Sequence, residues 1–166
     1  MTMPSTTQTY SVNSKAHALI HMQYSQIINA RAEAIYDVIS DYRVGHPAVL
    51  PKPYFTSLTV EQGGKGAGTI LRMTMRVFGK DFAYHQIVSE PQPGRVIVEA
   101  ETDGSLVTSF TLEPLNNGTQ TRVTIATDFT PKPGFAGFME RWMNPPVMRH
   151  IYKQELQNIA EYVSNN

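Results

Sequence analysis

The sequence predicts an α+β domain in which a curved, seven-stranded antiparallel sheet folds around a long C-terminal helix. Three observations carry that expectation. Apolar residues recur with period two through most of 55–130, in runs broken by short glycine, proline and asparagine clusters. They recur with helical spacing from Phe135 to Val163. A chain of 166 residues with 41% hydrophobic side chains is enough for one self-sufficient core and too little for two.

Composition narrows the function classes. Only 17% of residues are charged, against roughly 25% in an ordinary soluble domain, which excludes a disordered chain or a coiled coil. Fourteen Lys plus Arg balance fourteen Asp plus Glu, whereas a duplex nucleic-acid binder carries a basic excess. No apolar run approaches the roughly 20 residues of a membrane helix. Without cysteine there is no disulfide, thiolate nucleophile or Cys-ligated zinc.

Residues 1–16 are mostly polar and read as a flexible tail ahead of a domain over 17–166. The tail lacks the basic start and apolar stretch of a secretory signal, so a cytoplasmic location is expected. Ile20, Met22, Tyr24, Gln26 and Ile28 alternate along a first strand. Ala30 to Asp41 switches to helical spacing, with Asn29 as its expected N-cap. Gly45, Pro47, Pro51 and Pro53 then allow only a short, broken second helix before Tyr54. Strands follow near 55–62, 68–78, 81–90, 95–102, 105–114 and 119–130. After Pro131-Lys132-Pro133-Gly134 the chain is helical. Asn144-Pro145-Pro146 interrupts that stretch, where a kink or a second helix start is expected.

Turn positions set the faces. An Asn117-Gly118 turn places Leu112 opposite Val123, Phe110 opposite Ile125 and Thr108 opposite Thr127, with Glu113 and Arg122 outside. A Gly79-Lys80 turn places Val77 opposite Phe82 and Met75 opposite Tyr84, leaving Arg72, Thr74 and Arg76 outside. At Asp103-Gly104 two registers compete. A three-residue turn aligns Val98 with Phe110 and is favoured, because a two-residue turn puts Glu99 and Glu101 on the buried face.

Several strings in this order resemble the START-like, or Bet v 1-like (SRPBCC), superfamily, and more closely its polyketide cyclase/dehydrase and lipid-transport family. They are Ile28-Asn29-Ala30 leading into Ile35-Tyr36-Asp37-Val38-Ile39-Ser40-Asp41, Leu50-Pro51, Gly66-Ala67-Gly68-Thr69, Glu90-Pro91-Gln92-Pro93-Gly94-Arg95, and Phe110-Thr111-Leu112-Glu113-Pro114 through Gly118-Thr119. The resemblance implies a helix-grip fold with a cavity between sheet and terminal helix for a lipid, steroid or polyketide-like molecule. It carries over no catalytic residue and implies no cofactor. The chain departs from the family at Asn144-Pro145-Pro146, which breaks a helix that is usually continuous.

The inward positions name the candidate ligand-binding residues. From the sheet these are Tyr24, Met73, Met75, Tyr84, Gln86, Val98, Thr108 and Phe110; from the helix, Phe138, Met139, Trp142 and Met143. Their polar atoms need either internal partners or a ligand, and the methionines suit an ordinary core or an adaptable wall. The catalytic candidates are His46, a solvated loop histidine or a proton-transfer group, and Tyr84. Glu99 and Glu101, about 7 Å apart on a strand, read as a solvated outer pair or as an acid/base pair. Gly63 to Gly68 is a hairpin link, since Lys65 is followed by Gly66 and a strand and not by Ser or Thr and a helix. No histidine pair has metal-ligand spacing. Binding of a small hydrophobic molecule is the leading expectation, and a cyclase, aromatase or dehydratase working in the same cavity is the rival.

Overall fold

The structure is a computed structural model that describes residues 19–130 and 145–165. Its elements are β1 (Ile20–Ile28), α1 (Ala32–Ile39), α2 (Gly45–Val49), β2 (Phe55–Gln62), β3 (Ile70–Val77), β4 (Lys80–Gln92), β5 (Val96–Glu101), β6 (Leu106–Leu115), β7 (Gln120–Phe129) and α3 (Pro145–Asn165). The seven strands form one antiparallel sheet in the order β1-β7-β6-β5-β4-β3-β2. This is the helix-grip, Bet v 1-like architecture. The expected tail, His17, the helical stretch over Phe135–Met143 and Asn144 lie outside the described residues, and the described part of the terminal helix begins at Pro145. No described helix is long and apolar enough to cross a membrane.

Each element follows from its local pattern. In β7 every second residue from Thr121 to Phe129 is buried, the alternation of a sheet with one covered face. Helix α3 answers with Ile151, Leu156 and Ile159, all fully buried, and it packs along β1 and against α1 and α2. Each surface hides the other from water, at roughly 25 cal/mol per Å² of apolar area removed.

The β6–β7 register is the expected one, with Leu112, Phe110 and Thr108 opposite Val123, Ile125 and Thr127. The β3–β4 register differs by two residues. The turn is Phe78-Gly79, closed by the Val77–Lys80 pair, so Met75 meets Phe82 and Met73 meets Tyr84. Both turn residues have positive φ, 50° and 75°, as the tight hairpin turn matched to strand twist requires. A slip of two leaves every side chain on its expected face.

The β5–β6 hairpin is a correction. Ile97 lies opposite Phe110 and Glu99 opposite Thr108, which is the register that places acids inside. Ile97 and Glu99 are buried, so Val98, between them, points to the other face and is not an inward residue. A slip of one inverts everything on the strand. The carboxylate burial that argued against this register is offset by a hydrogen bond from Tyr42 to Glu99.

The helix start is the second correction. Helix α1 begins at Ala32 with Arg31 in the N-cap position and no side-chain cap. Asn29 is engaged elsewhere, its Oδ1 accepting from Gln120 Nε2 at 2.5 Å, while Thr121 Oγ1 donates to the Ala30 carbonyl at 2.8 Å. Those bonds tie the end of β1 to the start of β7.

Candidate functional site

The functional site is built around α2. Asp41 Oδ1 accepts from the backbone N–H groups of Arg43 and Val44 at 3.0 and 3.2 Å, and the His46 N–H donates to the Asp41 carbonyl at 2.8 Å. These bonds turn the chain into the short helix. Gly45 sits where a Cβ would lie 2.5 Å from the Val38 carbonyl oxygen, so only glycine lets α2 pack this close to α1. The β2–β3 link straps the segment down. Its Gly64 carbonyl accepts from Tyr42 N–H at 2.9 Å, its Gly63 carbonyl accepts from Arg43 Nη2 at 2.7 Å, and its Gly66 N–H donates to the Ser40 carbonyl at 2.8 Å. The glycine cluster thus connects a hairpin and anchors α2.

Held this way, His46 is only 2% exposed. It is a buried side chain of the interior, not a solvated loop histidine. Its Nδ1 lies 2.7 Å from the Ile39 carbonyl oxygen. The Tyr42 ring stacks on it with centroids 4.9 Å apart, and the Phe110 ring meets it edge-on at 5.6 Å. Two carboxyl groups approach the imidazole. Glu99 Oε1 is 3.8 Å from Nδ1 and Glu155 Oε1 is 3.9 Å from Nε2, and both acids are as buried as the histidine. Glu99 Oε1 also accepts a 2.8 Å hydrogen bond from the Tyr42 hydroxyl.

Burial and the neighbouring Glu99 charge push the Glu155 carboxyl up to about 8. Burial, then Glu99, also raises the Tyr42 hydroxyl well above its ordinary value. Burial does the same for Tyr84 and Tyr152, with Glu101 adding to the effect at Tyr84. Tyr152 lies 2.5 Å from Thr127 Oγ1, which in turn lies 2.9 Å from Thr108 Oγ1.

Most of these groups line a cavity between the sheet and α3. His46, Glu99, Glu155, Tyr84, Gln86, Thr108, Thr127 and Tyr152 supply its polar atoms, and Leu50, Phe55, Met73, Met75, Leu106, Phe110, Ile125 and Met148 its apolar wall. The hollow holds about 510 Å³ of space counting the part open to solvent, of which about 50 Å³ admits the centres of water-sized molecules. Gln86 is 1% exposed, and its Oε1 has no hydrogen-bond partner among the described residues. Among those residues no group of three His, Cys, Asp or Glu side chains is placed to hold a metal ion.

Of the residues singled out from sequence, Met73, Met75, Tyr84, Gln86, Thr108, Phe110 and His46 come together in this wall. Tyr24 lies on the inner side, half-buried against the core, but does not line the cavity. Val98 faces away, and Glu99 takes its place. Phe138, Met139, Trp142 and Met143 lie outside the described residues. Glu101 is only half-buried and accepts from the His85 backbone N–H at 3.1 Å. Sequence reasoning missed Glu155. The signal was available, since Glu155 stands four residues from both Ile151 and Ile159 in the apolar stripe of α3.

The model of the polyketide cyclase / dehydrase and lipid transport family matches residues 20–164. The chain belongs to that family. Membership accounts for the open antiparallel sheet, the two short helices after β1 and the terminal helix over an internal cavity. Solved structures similar to this family member include the KanY protein, at 26% identity and a TM-score of 0.75 over 89% of this chain and 99% of that one. The Zhui aromatase/cyclase from a Streptomyces species aligns at 16% identity and a TM-score of 0.68, over 89% and 94% of the two chains. Norcoclaurine synthase from Thalictrum flavum aligns at 18% identity and a TM-score of 0.66, over 92% and 98%. No curated protein matches the sequence.

Proposed function

We propose that this family member binds a compact, mainly apolar molecule carrying hydroxyl or carbonyl oxygens, such as a polyketide-like aromatic, between the sheet and α3. The observation that carries the reading is Gln86 Oε1, a buried acceptor with no hydrogen-bond partner among the described residues, in the wall of the hollow. Leaving such a group unsatisfied costs about 1–3 kcal/mol, which a ligand hydroxyl recovers. Apolar lining with a few convergent polar atoms is the usual composition of a small-molecule site. The internal space of about 50 Å³ is smaller than the roughly 150 Å³ that takes up a benzene. Uptake therefore needs Met73, Met75 and Met148 to change rotamer, a change their unbranched thioethers make at low cost.

The test is a thermal-shift and native mass spectrometry panel of a fatty acid, a steroid and a polyphenol. At a hundred times its dissociation constant a ligand adds about 2.7 kcal/mol, and so raises Tm by about 5–10 °C for a domain of this size. The polyphenol is expected to do so and to be recovered unchanged in mass from the denatured complex. Gln86→Leu is expected to weaken that response. A panel that neither shifts Tm nor yields a bound mass refutes the reading. An enzyme of cyclase, aromatase or dehydratase type is the second reading, and the observation favouring it is the presence of His46, Glu99 and Glu155 in the cavity wall.

A further inference from the structure

His46 and Glu155 face each other with their proton-transfer roles already divided. The Ile39 carbonyl can only accept, so the 2.7 Å contact fixes the histidine proton on Nδ1. In the neutral ring Nε2 then presents a lone pair, and it is the nitrogen turned toward Glu155, 3.9 Å from Oε1. At that distance the two are not hydrogen-bonded to each other. Tyr42 stacked on the ring and Phe110 at its edge hold the imidazole at this angle. On the other side, burial and Glu99 keep the Glu155 carboxyl protonated at neutral pH. A purely structural role accounts poorly for the pair, because well-packed apolar residues in place of buried ionisable ones are often as stable or more so.

We propose that His46 Nε2 and the Glu155 carboxyl are a base and acid pair that enolises a ketone bound in the cavity, an inference that rests on the cavity being a ligand site. Nε2 takes a proton from the carbon next to the carbonyl, and the C–H electron pair becomes the C=C bond of the enol. The C=O π pair moves to oxygen, which receives the Glu155 proton. The ketone and its enol have the same atoms, and no oxidant or reductant enters. The pair is left as imidazolium and carboxylate, and passing one proton from Nε2 to Oε1 restores both. Positioned acid and base groups of this kind contribute about 10²–10⁴-fold each.

The test measures deuterium uptake next to the carbonyl of cyclopentanone and of 2-tetralone in D2O, with the full chain and with thermal shift as a separate measure of binding. Uptake is expected at least about 100-fold above buffer, declining above about pH 8 as Glu155 loses its proton. His46→Gln and Glu155→Gln should each return it to near the buffer rate, even at ketone concentrations that saturate the variant's own thermal shift. The wild-type pH profile serves where a variant fails to fold, because a flat profile through pH 8 also overturns the assignment. Binding without accelerated uptake, or uptake unchanged in both variants, overturns this inference and leaves the binding reading standing. Binding of neither ketone overturns this inference, and the ligand panel alone then decides the binding reading.

Discussion

Protonation of Glu155 makes the stability of this fold fall as pH rises, in a window set by one side chain. In the unfolded chain that carboxyl titrates near its ordinary 4.5, and in the fold near 8. Between those values the folded state holds the extra proton, so raising the pH favours unfolding. The contribution is full below pH 4.5 and gone above about 8. At about 1.4 kcal/mol per pH unit, the whole window is worth about 5 kcal/mol. The charged and titratable groups facing Glu155 are Glu99 from β5, His46 from α2 and Tyr152 from its own helix, with Tyr42 reaching it through Glu99. Glu99 is the neighbour that opposes ionisation. Glu155→Gln keeps the shape and removes the titration. Urea denaturation of both proteins from pH 5 to pH 9 gives the comparison, since the remaining groups cancel in the difference. Wild-type stability relative to the variant should drop by about 1.4 kcal/mol per unit up to pH 8 and then level off. Parallel curves would show that Glu155 titrates in the fold as it does in water, and the argument from its burial would fail.

Other substitutions probe the frame around the site. Tyr42→Phe removes the donor to a buried carboxylate and should cost about 1.5–3 kcal/mol in chemical denaturation. Gly45→Ala drives a Cβ to 2.5 Å from the Val38 carbonyl oxygen. It should destabilise by about 1–3 kcal/mol and shift the His46 ring resonances. In the ligand-free protein Gln86→Leu eliminates an acceptor with no partner among the described residues and should raise stability by about 1 kcal/mol while weakening ligand uptake. Phe78→Asn relieves a large, 76% exposed side chain held at positive φ in a hairpin turn and should stabilise by about 1 kcal/mol.

The fold was legible because the strand boundaries survive a register error, and the error at β3–β4 was also an even one. The β3–β4 turn sits one residue earlier than the glycine suggests, at Phe78-Gly79, since the tight turn needs two residues of positive φ and a phenylalanine occupies the first. The pairing slipped by two, and Met73, Met75, Tyr84 and Gln86 kept their face. At β5–β6 the slip was of one, and odd slips are fatal to side-chain assignments. Val96, Ile97 and Val98 form a continuous apolar run, so alternation alone does not say which of them is inside. The deciding contact, Tyr42 to Glu99, spans 57 residues. No local rule sees it.

That same non-local contact explains how the cavity wall can carry Glu99. A strand carrying Glu99 inward is unfavourable unless a donor awaits it, and the donor stands on the segment between α1 and α2. The segment has its shape because Gly45 permits the close approach to Val38 and the β2–β3 link straps Tyr42 down. Once Tyr42 is in place, its ring supports His46 and its hydroxyl supports Glu99. Burial first, and then Glu99, raises the Glu155 carboxyl. A glycine, a strap of backbone bonds and one tyrosine thus contribute to the protonation of an acid on the far helix. Changing the strap should therefore move the Glu155 titration without touching Glu155. Gly64→Ala strains a backbone held at φ 123° and pushes against the Arg43 side chain. It should loosen the segment and shift the fall in stability below pH 8, as the site wets and the carboxyl returns toward its ordinary value.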